Sequence, residues 1–224
     1  YIVGKGHCGV VELKGLDGIR RLAGGTFTVT PEMVAEASAR LAAAAAKKLE
    51  AKVAKVPRAD AKAAWKKSPA IFDGIRLAYD DANLYVRATK NDANAPFENK
   101  GSNPFELFKS GDTVEVMLRT GAEKKARGLC AGDKRLLISV FNGKPVAVLY
   151  DYKVPGVKPG ERTGFSSPWR TVYVDRVGVL DAAKIDVHRA GTVVTVEATV
   201  PLAALGLDPV RMKETRGDVG RVNS

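Results

Sequence analysis

The chain has 224 residues, 45% of them hydrophobic and 27% charged, and carries a net charge of +11. That length and balance support one good core with chain to spare and argue against global disorder. No window approaches the roughly 18 apolar residues of a membrane-spanning helix. The charge is concentrated: nine basic residues fall between Arg40 and Lys67 (Arg40, Lys47, Lys48, Lys52, Lys55, Arg58, Lys62, Lys66 and Lys67), and only Glu50 and Asp60 oppose them there. A run of this kind reads as a solvated, self-repelling linker rather than a nucleic-acid-binding face.

Residues 1–29 read as β material. Tyr1-Ile2-Val3 and Gly9-Val10-Val11-Glu12-Leu13 flank a Gly-Lys-Gly-His turn, and Gly15, Gly18 and Gly24-Gly25 punctuate the rest up to Thr26-Phe27-Thr28-Val29. The stretch is too short to bury its own core, and it reads as the closing strands of an upstream β domain in a longer protein. Thr30 followed by Pro31 and Glu32 is a helix start, with an N-cap hydroxyl, proline at the first helical position and an acid near the positive dipole end. The helix is expected to run to about Ala51. Its Ala-Lys-Glu interior has a thin apolar stripe, which fits a spacer, and Lys52 to Arg58 is a basic linker. Residues 30–58 thus form a helix and linker, and 59–224 the main domain.

The main domain is rich in strands: Ile75–Tyr79, Asn83–Lys90, Asp112–Arg119, Arg135–Phe141, Pro145–Tyr150, Thr171–Val177, Lys184–His188 and Thr192–Val200. Leu84, Val86 and Ala88 alternate with Tyr85, Arg87 and Thr89. Val114, Val116 and Leu118 alternate with Glu115, Met117 and Arg119, and Val194 through Val200 alternate with Thr195, Glu197 and Thr199. Period-two alternation means half-buried antiparallel strands, and eight of them with turns between predict a mainly β, antiparallel β-sandwich. Asp80-Asp81-Ala82-Asn83 and Phe141-Asn142-Gly143-Lys144-Pro145 are turn signals, and Pro201 to Gly206 reads as a short helical turn closed by glycine.

Enzyme motifs are absent. There is no Gly-x-Ser-x-Gly, phosphate loop, dinucleotide fingerprint or zinc-protease helix. Asp112 and Glu115 fall on opposite faces of a strand, so catalysis is disfavoured. Cys8 and Cys130 are the two cysteines, His7 and His188 the two histidines, and neither set has metal or redox spacing. Binding is the stronger prospect. Tyr85, Arg87, Glu115, Arg119 and Glu197 project away from the aliphatic core, either as a solvated face with cross-strand ion pairs or as a sugar-binding face. Loops add aromatics: Phe97, Phe105 and Phe108 lie among polar residues in 91–110, and Trp169 sits beside Pro168. Trp65 is expected to seal the core edge.

Several blocks in order carry a family resemblance: Trp65, then Leu77-Ala78-Tyr79-Asp80-Asp81-Ala82-Asn83-Leu84-Tyr85-Val86 with Asp92 after it, then Phe108-Lys109-Ser110-Gly111-Asp112-Thr113-Val114-Glu115-Val116, Gly132-Asp133-Lys134-Arg135-Leu136-Leu137, and Val196 to Gly206. From about Val56 to Ser224 the chain resembles a family-9-type carbohydrate-binding module of the DOMON-like, jelly-roll-like sandwich group. The resemblance implies a non-catalytic accessory module of a secreted or cell-surface protein, extracellular or periplasmic. It would bind a polysaccharide or oligosaccharide between aromatic side chains, as a family that often carries structural calcium, with an upstream domain in the same chain. Trp169 is the candidate for one aromatic wall, with a loop Phe replacing the other. The opening strand of the pattern survives only as Ala59-Asp60-Ala61, and Gly217 to Ser224 reads as the approach to a final hairpin that is missing. Residues 1–29 resemble the closing strand of a β-propeller. Two other readings stand beside this one: a structural sandwich that binds no small ligand, and a haem-binding DOMON-like domain with Met117 and His188 as axial ligands.

Overall fold

The computed structural model describes residues 55–59, 65, 68, 70–91, 97–121, 128–208 and 215–222, together with residues 32, 35, 36 and 38–40. It divides into two units, 1–53 and 54–224. In the first, the described residues are helical, and Arg40 pairs with Glu36 one turn back at 2.5 Å. This fits the helix expected from Thr30. The expected strands of 1–29 and the end of that helix lie outside the described residues.

The second unit is mainly β and antiparallel. Its strands are β1 (Arg76–Tyr79), β2 (Asn83–Asn91), β3 (Thr113–Arg119), β4 (Asp133–Phe141), β5 (Lys144–Asp151), β6 (Thr163–Ser166), β7 (Thr171–Val174), β8 (Arg176–Val179), β9 (Lys184–Ala190), β10 (Val193–Pro201) and β11 (Arg216–Val222). They form a four-stranded sheet in the order β1-β2-β10-β9, a five-stranded sheet in the order β11-β3-β4-β5-β8, and a β6-β7 hairpin. The alternation decides what each sheet buries. Leu84, Val86 and Ala88 of β2 and Val194, Val196, Ala198 and Val200 of β10 join Val114 and Val116 of β3, Leu136 and Ile138 of β4, and Val219 of β11 in one core. Every second residue points into it, which makes the arrangement sandwich-like.

The turns follow their residues. Asn142 and Gly143 both have positive φ, at 48° and 79°, so β4 and β5 join through a two-residue turn whose twist matches the strands. The Asp80 carboxylate accepts from the amides of Ala82 at 2.8 Å and Asn83 at 2.7 Å and sets the β1-β2 turn. Pro201 begins a 3₁₀ turn over Leu202–Leu205, which Gly206 closes in the left-handed conformation.

Cross-sheet ties close the rim of the core. Lys90, on the inward side of β2, reaches Asp112 at 2.8 Å, and that carboxylate is fully buried. Arg221, inward on β11, donates to the carbonyls of Asp73 and Thr89, both at 2.9 Å.

Three expectations change. The strand expected over Thr171–Val177 is broken at Asp175, whose buried carboxylate accepts from the Val154 amide and faces Arg162 at 2.9 Å. β7 turns back on β6, while β8 goes to the edge of β5. Gly217 to Val222 belongs to β11, which pairs with β3 over seven residues. Trp65 does not seal the core edge: it packs with Ala78 and Tyr85 in a small separate cluster.

Candidate ligand-binding surface

A second apolar cluster lies on the side of the five-stranded sheet away from the main core. Leu137 of β4 and Val148 and Tyr150 of β5 are covered there by Leu107, Phe165 and Val174. The cover has two parts. One is the 3₁₀ segment Pro104–Lys109, begun by Asn103, whose side chain accepts from the Phe105 amide. The other is the β6-β7 hairpin, held down by Phe165 and Val174. Asn99, fully buried, organises the loop around the first part: its side chain donates to the Leu107 carbonyl at 2.7 Å and accepts from Gly101 and Ser110. Tyr150 donates its hydroxyl to the Phe105 carbonyl at 2.9 Å. Burial drives the Tyr150 phenol well above the ordinary range, so it stays protonated as a donor.

Toward β3 the same side is charged. Arg135 makes a bidentate pair with Glu115, Nε to Oε1 and Nη2 to Oε2 both 2.8 Å, and its guanidinium lies 5.0 Å from the centre of the Phe108 ring. Directly across the β3-β4 register, Arg119 pairs with Asp133 at 2.8 and 2.9 Å. The Asp133 carboxylate also accepts from the Cys130 amide at 2.9 Å. Burial works against that carboxylate, but Arg119 and the Cys130 amide outweigh it and hold its pKa below the usual range. Met117, partly exposed, lies on β3 between Glu115 and Arg119. The four charged groups satisfy one another.

The hairpin presents the aromatic surface. Ser167 and Arg170 close it, with the Ser167 amide donating to the Arg170 carbonyl at 2.9 Å, which leaves Pro168-Trp169 as the turn. Trp169 is 75% exposed and Tyr173, on β7, 54%. Phe165 and Val174 face the second cluster, so Tyr173 stands on the opposite, solvent side, where its ring lies against Gly164: a Cβ there would be 3.2 Å from Tyr173 Cε1. Between ring and turn, the hydroxyls of Ser166 and Thr171 are 2.9 Å apart.

The seven residues singled out from sequence therefore do not form one site. Glu115 and Arg119 lie on the outer side of the five-stranded sheet, and Trp169 is on the hairpin over that side. Tyr85 and Arg87 lie on the outer side of the other sheet, across the core. Tyr85 is only 6% exposed, packs edge-on to Trp65 at 6.4 Å, and donates its hydroxyl to Asp80. Arg87 lies 5.9 Å from the Trp65 ring and 3.4 Å from Glu197 across the strands, so the ion-pair reading holds for that face. Phe97 is buried in the main core, and Phe105 is half-buried in the second cluster. Phe97 is therefore unavailable as a second aromatic wall, while Phe105 keeps part of its surface exposed. Alternation marks a residue as pointing away from the core, but a molecule with two sheets has two outsides. The sequence reading passed over Tyr173, though its place between Val172 and Val174 in an alternating segment was a signal for it.

Met117 and His188 face outward from opposite sheets, so they cannot bind one haem as an axial pair. Among the described residues no group of three or more His, Cys, Asp or Glu could hold a metal ion; the buried Asp112 carboxylate meets the Lys90 ammonium through Oδ2, and its Oδ1 has no hydrogen-bond partner. The described residues thus hold no carboxylate cluster for the calcium implied by the resemblance, and Asp92 lies outside them. No described helix is long and apolar enough to cross a membrane. The chain matches no family model, no curated protein and no solved structure.

Proposed function

We propose that residues 59–224 are a non-catalytic carbohydrate-binding module, an accessory to a larger secreted or cell-surface protein, and that its sugar contact is the β6-β7 hairpin. One observation carries this reading: the two most exposed aromatic residues on the second cluster's side, Trp169 and Tyr173, stand on one hairpin that Phe165 and Val174 anchor. Sugars present flat C–H faces that stack on such rings, while hydroxyls beside the rings, here Ser166 and Thr171, bond to the polyol.

The test uses the fact that only Trp65 and Trp169 contribute indole fluorescence. In Trp65→Phe the signal reports on Trp169 alone. A saturable shift with one class of oligosaccharide is expected, and Trp169→Ala should weaken binding by about 1–3 kcal/mol, the range for stacking a flat ring on an aromatic side chain. A flat response to every sugar from a folded protein would overturn the reading. One observation favours a purely structural sandwich: Glu115-Arg135 and Arg119-Asp133 are closed bidentate pairs that leave little charge for a ligand. That reading expects the flat response.

A further inference from the structure

We infer that the ligand of this hairpin is an acidic polysaccharide, one bearing uronate or sulfate groups, and not a neutral glycan; the inference rests on the carbohydrate-binding reading above. Its basis is the charge around the two rings. From Tyr152 to Val179 the chain has five basic residues, Lys153, Lys158, Arg162, Arg170 and Arg176, against two acidic ones, Glu161 and Asp175. One acid is already paired with a base, and the bases outnumber the two acids by three. Asp175 is buried, facing Arg162 and accepting from the Val154 amide, and Glu161 accepts from the Lys158 amide at 3.1 Å. Lys153, Lys158, Arg170 and Arg176 have no ion-pair partner among the described residues, and the last three are exposed.

Three of the four flank the aromatic surface. Arg170 is next to Trp169 in the closing pair of the hairpin. Arg176 is set apart: it stands opposite Asp151 on the core side of the five-stranded sheet, whereas its neighbour Val177, opposite Tyr150, faces the second cluster. Lys153 and Lys158 lie on the segment that Asp175 pins through Val154 and Arg162 to the base of the hairpin. Between Thr163 and Val174 there is no acidic residue at all. A neutral polysaccharide needs only rings and hydroxyls. Positive charges left unanswered beside rings match a chain of sugars with regularly spaced anions, each of which gains a charge-assisted bond where the rings already hold its ring faces. The tip argues against insertion into a lipid surface, because Ser166, Ser167 and Thr171 surround its single Trp with hydroxyls rather than aliphatic side chains.

The experiment titrates the full chain carrying Trp65→Phe with a uronate oligosaccharide, a sulfated oligosaccharide, a neutral oligosaccharide of the same length, oligothymidylate and anionic phospholipid vesicles, each at low and high salt. The expected result is binding to one or both acidic sugars roughly tenfold tighter than to the neutral one, as about three weak surface ion pairs would give, and falling as salt rises. Arg170→Gln with Lys158→Gln should erase most of that preference. Tyr173→Ala should weaken the acidic and neutral sugars alike. All these positions are exposed, and a thermal melt confirms that each variant folds. Equal, salt-insensitive binding of acidic and neutral sugars would overturn the inference and leave the carbohydrate reading standing, whereas no binding of any sugar would end both. Oligothymidylate or vesicles bound as tightly as uronate would overturn it in favour of general attraction to polyanions, and so would uronate binding that ignores Arg170 and Lys158, which would point instead to the basic run at 40–67.

Discussion

Glu115→Gln offers a clean measure of whether the charged strip on β3 and β4 is structural. The Glu115 and Arg135 side chains are 10% and 13% exposed, and the guanidinium is held on one side by the carboxylate and on another by the Phe108 ring. Burial disfavours the charged Arg135, but Glu115 outweighs it and raises its pKa above the ordinary value. Removing the carboxylate charge leaves the guanidinium buried and uncompensated. A fully buried pair broken in this way costs about 3–5 kcal/mol; the remaining exposure lowers the expectation to about 2–4 kcal/mol. For a domain of this size that is a fall in Tm of about 5–15 °C.

The pair should also be replaceable. Glu115→Leu with Arg135→Met removes both desolvation costs, and such swaps are often neutral or stabilising. The double variant is therefore expected within about 1 kcal/mol of the parent in urea unfolding. If Glu115→Gln costs less than about 1 kcal/mol, the pair is effectively solvated and the burial argument is wrong. If the double variant keeps its stability but loses sugar binding, the strip belongs to the ligand site, and the hairpin alone is not the binding surface.

Two further outcomes follow from single residues. Gly111 has φ of 151°, and a Cβ there would lie 2.5 Å from the Glu98 carbonyl oxygen and 2.7 Å from the Asn99 Cα, so Gly111→Ala should cost about 2–4 kcal/mol in chemical unfolding through overpacking and strain. The Asp80 carboxyl is held below its ordinary value first by the Tyr85 hydroxyl and then, against burial, by the amides of Ala82 and Asn83. A carboxylate with a lower pKa folded than unfolded stabilises the fold above its unfolded value, about pH 4, and loses that contribution as pH falls through the folded value. The urea midpoint should therefore drop on acidification below about pH 4, and drop less steeply in Asp80→Asn, while equal slopes would remove Asp80 from the acid response.

The legibility of the fold tracks the physics of each segment. β2, β3 and β10 were readable because one face of each enters the core between the sheets, and strict alternation records that. The Asn142-Gly143 turn was readable because its two positive φ values suit few other residues. β6 escaped because Thr-Gly-Phe-Ser is short and carries one apolar anchor. β11 escaped because Arg216 to Val222 places only Val219 deep in the core, and its other inward residue, Arg221, is a charged rim tie. The site was less legible than the fold for a different reason. Outwardness can be read along a strand, but the assignment of strands to sheets depends on pairings between residues far apart, such as β10 with β2. Phe97 and Phe105 looked like loop aromatics, yet they are the apolar anchors that let a long polar loop pack down.

The second apolar cluster bears most directly on the proposed binding surface. The core between the sheets is complete without it, and an isolated two-stranded hairpin is marginal in water. Phe165 is what makes this hairpin a fixed object: its ring sits 5.5 Å from Phe108 and 5.8 Å from Tyr150, on the outer side of the five-stranded sheet. A ring at the tip of a fixed hairpin pays little ordering entropy when it binds, and a ring on a loose one pays more. Phe165→Ala should therefore unfasten the hairpin without dismantling the molecule. Amides of 163–174 are expected to lose hydrogen-exchange protection while those of β3 and β4 keep theirs, and sugar binding is expected to weaken even though Trp169 and Tyr173 are untouched. If protection falls equally across both sheets, the second cluster is part of one cooperative core and the hairpin is not a separable platform. If protection is lost only in the hairpin while affinity stays unchanged, the hairpin does not hold the ligand.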